Sequence, residues 1–320
     1  MADQELLYDL QLEGLDANAW LARVEEICGE IGYCELLGNH HLAMQIDAGP
    51  RLFVSFENIP SARKFNPEAA PRGWLLARDR GWSCLTILSK DPENWFRDPA
   101  IYAFFDRLID DGYFDEYEDV LFYGAGGAGY AAAAYSVSAP EARVLALRPQ
   151  ATLDPARAPW DRRFMAQRRK DFTSRFGYAP MMLETASQAW IVHDPMVPED
   201  AMHATLFEAP NTTLLRTPHL GLTPERDLSL MRVLDDMIDE AMDGTLNAAS
   251  FAGYWRARQG HLPYLRTLFH MLEEDGRDRL LAKLCRFVLR DTNRPLFAKK
   301  LAQIEARGAD ATTMPQSEDA

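Results

Sequence analysis

The stretch Val120-Leu121-Phe122-Tyr123-Gly124-Ala125-Gly126-Gly127-Ala128-Gly129-Tyr130-Ala131-Ala132 decides the fold. A short run of large apolar residues gives way to four closely spaced glycines and then to small residues of high helix propensity. That order predicts a buried strand, a tight turn and a closely packed helix. Glycine at the turn admits backbone angles that other residues reach only under strain, and it lets neighbouring chain approach.

Working outward, residues 17–31 place Trp20, Val24, Ile27 and Ile31 at helical spacing, with Asp16 positioned to cap the first turn. HHLAMQI at 40–46 and RLFVSFENI at 51–59 are separated by Asp-Ala-Gly-Pro and predict a hairpin. NIPSARKFNPEAAPRG, residues 58–73, reads as a long loop over a sheet edge before WSCLTILSK resumes a strand pattern. Beyond the glycines, ARVLALRPQ, AWIVHDP and TTLLRTPHL are short apolar runs of strand length. Strands alternating with helical segments predict an α/β fold with a mostly parallel sheet. From Pro224 the periodicity becomes helical, which predicts a C-terminal helical extension. The expected organisation is a body over 1–222, a helical extension over 223–307 and a flexible tail over 308–320.

The chain has 320 residues, 34 Lys+Arg against 48 Asp+Glu and a net charge of -14. The excess of acid lies in residues 1–220, because residues 221–310 sum to zero. Such a balance disfavours nucleic acid as a partner. The four cysteines, Cys28, Cys34, Cys84 and Cys285, lack the spacing of a metal quartet, and the seven histidines form no His-x-x-x-His pair, so no metal is expected. The opening residues lack a charged-then-apolar leader, and no apolar run approaches 20 residues, so neither secretion nor membrane insertion is expected and a cytoplasmic setting is favoured.

The strand, glycine turn and small-residue helix resemble the nucleophile elbow of the α/β-hydrolase superfamily, where G-x-S-x-G presents a serine above the sheet. The resemblance covers most of residues 50–222 and implies an α/β-hydrolase-like sheet. It places Gly124 before the elbow and Gly126 at the nucleophile position, where no side-chain oxygen exists for acyl-serine chemistry. It also implies that Asp194 in His193-Asp194-Pro195 supplies the acid, with Asp200 as the alternate, and that His219 stands at the position of the family histidine. The N–H of Gly127, with main chain near Asn58 or Ile59, is expected to bind an anion or carbonyl next to Gly124 and Gly126.

The overall pattern is also similar to bacterial sequences labelled phosphoadenosine phosphosulfate reductase, which implies a nucleotide-dependent or sulfonucleotide reductase-like enzyme. The Ser-Gly-Gly-x-Asp-Ser loop and reactive C-terminal cysteine of those enzymes are replaced here by GAGGAGY and by Cys285 inside LAKLCRFVL. The expected function is a noncatalytic small-molecule or protein-binding scaffold that needs no cofactor. A hydrolase using Asp194 and His219 with water, or with a noncanonical nucleophile, is the alternative. Self-association into a homo-oligomer stays open.

Overall fold

Eight strands form one sheet: β1 (Tyr33–Leu37), β2 (His41–Ile46), β3 (Arg51–Asn58), β4 (Ser83–Ser89), β5 (Asp119–Ala125), β6 (Arg143–Leu147), β7 (Gln188–His193) and β8 (Thr212–Arg216). The computed structural model describes residues 9–91 and 93–312. Strand order is β1-β2-β4-β3-β5-β6-β7-β8, with β2 antiparallel to both its neighbours and every pair from β4–β3 to β7–β8 parallel. This is the expected α/β-hydrolase-like sheet. The central strands β3 and β5 are buried along nearly their whole length, which is why their sequences run continuously apolar instead of alternating.

Two core layers cover the sheet, one on each face. Alternate residues of β2 and β4 divide between them: Ala43, Leu85 and Ile87 join the layer that holds helices Pro99–Asp110 and Gly127–Tyr135. Leu42, Met44, Cys84 and Leu88 join the layer of helices Ala17–Ile31, Ile59–Phe65 and Arg72–Arg80. Phe56, Phe105 and Tyr135 stack within the first layer, with the Phe105 and Tyr135 rings 4.6 Å apart.

The structure corrects two expectations. Residues 40–46 and 51–59 do not pair as a hairpin; β2 instead pairs with β1 and β4, and β4 lies between β2 and β3. The four-residue link between β2 and β3 crosses the start of β4, where Ser83 Oγ accepts the N–H groups of Ala48 and Gly49 and donates to Gly49 O. A Cβ on Gly49 would lie 2.5 Å from Gly81 O, so glycine is required for this crossing. Nor is the stretch from Asn58 a loop over an edge. It follows a central strand and forms two helices, Ile59–Phe65 and Arg72–Arg80, because Asn58 Oδ1 accepts the Ser61 N–H and Pro60 suits the first turn.

The chain divides into two compact units, one reaching to Tyr254 and the other beginning at Trp255. The first therefore takes in helices Pro224–Leu230, Leu234–Met242 and Ala248–Tyr254, which the sequence assigned to the extension. Ties to the sheet layer explain this. Arg80 forks onto Asp239 at 2.8 and 3.0 Å, Trp190 Nε1 donates to Leu246 O, and Arg143 Nη1 donates to Met242 O. The second unit packs helices Leu262–Glu274, Asp278–Asp291 and Pro295–Thr312 around Phe269, Leu281, Cys285 and Phe297. Residues 308–312 of the expected tail lie in its last helix, and those after 312 lie outside the described residues. No described helix is long and apolar enough to cross a membrane.

Candidate functional site

The link between β5 and its helix is a sharp elbow centred on Gly126, at φ 62° and ψ −125°. Its N–H donates to Leu147 O and its carbonyl accepts from Tyr130 N–H, so both sides of the turn are pinned. The glycines around it are there for different reasons. A Cβ on Gly124 would lie 2.3 Å from Ala128 O, and one on Gly127 would lie 2.3 Å from Asn94 O, so the packing forbids a side chain at either position. At Gly126 a Cβ would meet nothing within 4 Å, and only the backbone angles disfavour other residues. Gly126 therefore has the space for a side chain and carries none.

Gly126 opens onto a cleft of about 280 Å³ at the C-terminal edge of the parallel strands. Trp95, Phe96, Phe65 and Phe164 supply its apolar wall, with the Trp95 and Phe164 rings 4.6 Å apart. Two lining residues, Phe96 (φ 55°) and Arg148 (φ 53°), hold left-handed backbone. Each is fixed from outside. Asn94 Oδ1 accepts Phe96 N–H and Tyr135 OH donates to Phe96 O, while Arg148 N–H donates to Val192 O and its Nε donates to Asp200. Backbone strain held this firmly is typical of functional sites.

A buried polar cluster adjoins the cleft. Glu57, 8% exposed at the end of β3, accepts from Ser55 Oγ, Asn66 Nδ2 and the Arg72 N–H. Burial, reinforced by nearby Glu225, pushes its carboxyl up to about 7 even though Arg72 pulls the other way. Arg72 is also buried, with Nη1 3.1 Å from Asp235 Oδ1 and Nε 3.6 Å from Glu225 Oε1. Tyr123 OH donates to the same Glu225 oxygen at 2.7 Å. A small offshoot of about 20 Å³ connects Glu57, Asn58 and Glu225.

Three residues lining the cleft hold buried atoms without a hydrogen-bond partner among the described residues: Arg72 Nε, Trp95 Nε1 and Gln150 Oε1. An orphaned buried polar atom costs about 1–3 kcal/mol unless something in the site satisfies it. All three atoms are buried behind the surface of the cleft rather than open to it.

Of the residues expected at a ligand site, Asn58, Gly126 and Gly127 line the cleft. Ile59 is packed into the core and Gly124 against the elbow helix, and neither lines it. Asp194, Asp200 and His219 are also absent from the lining. Asp194 does meet His219, but through main chain: its Oδ1 accepts the N–H groups of Met196 and His219, and its Oδ2 accepts that of Gly221. The expectation that Asp194 orients the His219 imidazole is corrected accordingly, since no hydrogen bond engages that ring among the described residues.

Asp200 is committed elsewhere, accepting Arg148 Nε and Arg163 Nη1 at 2.6 Å each. Arg163 also forks onto Asp161, whose Oδ2 lies 2.9 Å from His203 Nε2. Because His203 Nδ1 accepts the Ala151 N–H, its proton sits on Nε2 and faces Asp161. Burial holds the His203 imidazole below its ordinary pKa, and hydrogen bonds from His203 and Arg163 outweigh burial to hold Asp161 well below the usual carboxylate range. Asp161, Arg163, Asp200 and His203 thus form a largely buried network, with Trp160 packed on the His203 ring.

Sequence reasoning missed Glu57, Arg72, Trp95, Gln150 and Glu225. The one available signal was a lone acid in the buried run RLFVSFENI, because an ionisable group there needs partners. Cys285 is fully buried and free, and burial pushes its thiol pKa up, the opposite of a reactive cysteine. No cluster of three or more metal-binding side chains occurs among the described residues.

The chain has an α/β-hydrolase-like fold. No family model matches it, and no curated protein does. Among solved structures it is similar to a hyperthermophilic esterase from the archaeon Pyrobaculum calidifontis, at 15% identity and a TM-score of 0.41, covering 78% of this chain and 95% of that one. EstE1, a thermostable carboxylesterase cloned from a metagenomic library, matches at 15% identity and a TM-score of 0.40, covering 80% and 98%. A capsule O-acetyltransferase of Neisseria meningitidis matches at 11% identity and a TM-score of 0.39, covering 63% and 92%. At these values the strand order alone carries the fold, and the site must speak for the function.

Proposed function

We propose that this protein is a noncatalytic small-molecule-binding member of the α/β-hydrolase-like fold, with its ligand held in the cleft above Gly126. The observation that carries the proposal is the elbow itself: its backbone is in place and open to the cleft, yet it bears no nucleophile. Hydrolysis through Asp194 and His219 with water finds no support, because the acid is used up on main-chain N–H groups and neither residue lines the cleft. Arg72, Arg148 and Arg226 in the lining are each ion-paired, which leaves no unpaired lining cation among the described residues for a nucleotide polyphosphate.

A fluorophosphonate probe tests this, first on the native protein and then on Gly126→Ser. The native cleft serines Ser61 and Ser229 are expected to stay unlabelled. Gly126→Ser is expected to fold, at a cost of about 1–3 kcal/mol for its backbone angles, and also to stay unlabelled because no imidazole faces it. Covalent labelling of any cleft serine, located by peptide mass spectrometry, would overturn the noncatalytic assignment.

A further inference from the structure

We propose that Cys28 and Cys34 form a dithiol site that hydrogen peroxide or an alkyl hydroperoxide converts to a disulfide and that a dithiol reductant restores. The site stands apart from the cleft and does not depend on how the cleft is used. Chain folding brings the two thiols together. Helix Ala17–Ile31 ends with the Gly32 N–H donating to Cys28 O at 2.9 Å, and one residue later Tyr33 O accepts the Cys28 thiol, also at 2.9 Å. Gly32 permits this return, because a Cβ there would run into Gln45 O on the neighbouring strand β2. The Tyr33 carbonyl belongs to the peptide bond that leads into Cys34, and the Cys34 side chain is a hydrogen-bond partner of the same Cys28 thiol. Both side chains pack into the layer of helix Ala17–Ile31.

The two sulfurs are unequal in the way that peroxide chemistry requires. Cys28 is fully buried, as are Cys84 and Cys285, whereas Cys34 stands on the edge strand β1 and is only partly buried. A hydrogen bond from Cys28 outweighs that partial burial and holds the Cys34 thiol below its ordinary pKa. The same bond, together with burial, pushes Cys28 up, and burial pushes Cys84 and Cys285 up. The thiolate therefore forms first at Cys34. It attacks one peroxide oxygen, so that an S–O bond forms, the O–O bond breaks and hydroxide leaves, taking up the Cys34 proton as water. Cys28 then attacks the resulting sulfenic sulfur; an S–S bond forms, the S–O bond breaks, and the departing hydroxide takes up the Cys28 proton. In sum two thiols and one hydrogen peroxide give one disulfide and two waters, with two electrons passing from sulfur to oxygen.

The full-length protein is treated with a small excess of hydrogen peroxide, alkylated with iodoacetamide without reductant and digested with trypsin. Residues 24–50 contain no Lys or Arg, so both cysteines fall on one peptide. By mass spectrometry that peptide is expected to be two hydrogens lighter and unalkylated, and to accept two alkyl groups after dithiothreitol, while Cys84 and Cys285 stay reduced. In untreated protein Cys34 is expected to alkylate at least about 10-fold faster than the other three cysteines. Cys28→Ser, which keeps a hydroxyl for Tyr33 O, is expected to stop at the sulfenic acid, so that dimedone adds to Cys34. Cys34→Ser is expected to leave Cys28 unmodified. Because the parent protein gives the decisive reading, a variant that fails to fold does not remove the test.

Full alkylation of both cysteines after peroxide, or oxidation of Cys34 to the sulfinic acid with Cys28 still open to alkylation, would overturn the dithiol site. So would a disulfide from Cys34 to a second copy, read as a dimer on a non-reducing gel, or oxidation of Cys84 as fast as Cys34. None of these outcomes bears on the cleft.

Discussion

The loop around Asp194 and the cleft around Gly126 differ most in how completely their polar groups are satisfied. Asp194 spends both carboxylate oxygens on three N–H groups, and Asp200 spends both of its own on two arginines. Across the cleft, Arg72 Nε, Trp95 Nε1 and Gln150 Oε1 are buried without a hydrogen-bond partner among the described residues. A satisfied carboxylate holds chain in place and stabilises it, whereas an orphaned buried group is a standing cost to the fold. Asp194 and Asp200 thus hold chain in place, and the cleft is lined by other residues.

The sharpest way to break this contrast is to delete one group from each region and compare stabilities in urea. Among the described residues, Asp200→Ala leaves Arg148 without an ion pair and Arg163 with Asp161 alone, both largely buried, and is expected to cost about 3–5 kcal/mol. Gln150→Leu removes an acceptor without a partner among the described residues, together with one long bond from Nε2 to Arg148 O at 3.3 Å, and is expected to stay within about 1 kcal/mol of the parent. If the two variants lose equal stability, the cleft residue is structural after all and the distinction collapses.

Glu57 sharpens the contrast from the cleft side, through pH. Its ordinary pKa of 4.5 applies to the unfolded chain, and the native value is raised to about 7. Between those values the native state holds a proton that the unfolded state has released. Stability from this group is therefore greatest at low pH and falls as pH rises from about 4.5 to about 7, by about 3 kcal/mol in all. Glu57→Gln keeps a neutral side chain throughout. The stability difference between parent and variant, measured by urea unfolding across that window, is expected to grow with pH against the parent. A difference that stays flat would show that Glu57 is ionised at low pH and that its surroundings do not resist charge.

The sheet was largely legible because its signals are local. Strand-length apolar runs, an aspartate ahead of residues 17–31 and glycines after Tyr123 each reflect forces within a few residues. The β2–β3 hairpin misread a local pattern that a tertiary fact overrode: β4, distant in sequence, sits between the two strands, and the short link holds because Ser83 and Gly49 meet there. Residues 58–73 misled because turn formers also cap and start helices. At the site, Gly126 and Asn58 could be placed from the elbow pattern, but the orphaned state of Trp95 and Gln150 depends on what does not approach them, which no window of sequence records.

The smallest expected effect separates the two residues that most resemble catalytic ones. Asp194→Ala removes the acceptor for three N–H groups in a partly buried loop, and since water can reach some of them the expected loss is about 2 kcal/mol. At His219 the main chain matters and the ring does not: its φ is 65°, its N–H is held by Asp194, and no partner engages the imidazole among the described residues. Glycine tolerates that backbone without penalty but adds freedom to the unfolded chain, so the two effects oppose each other and His219→Gly is expected to stay within about 0.5 kcal/mol of the parent. A loss well beyond that in His219→Gly, measured by urea unfolding, would show that the imidazole carries stability after all. Without it, the aspartate counts through the chain it holds, and the histidine through its backbone alone.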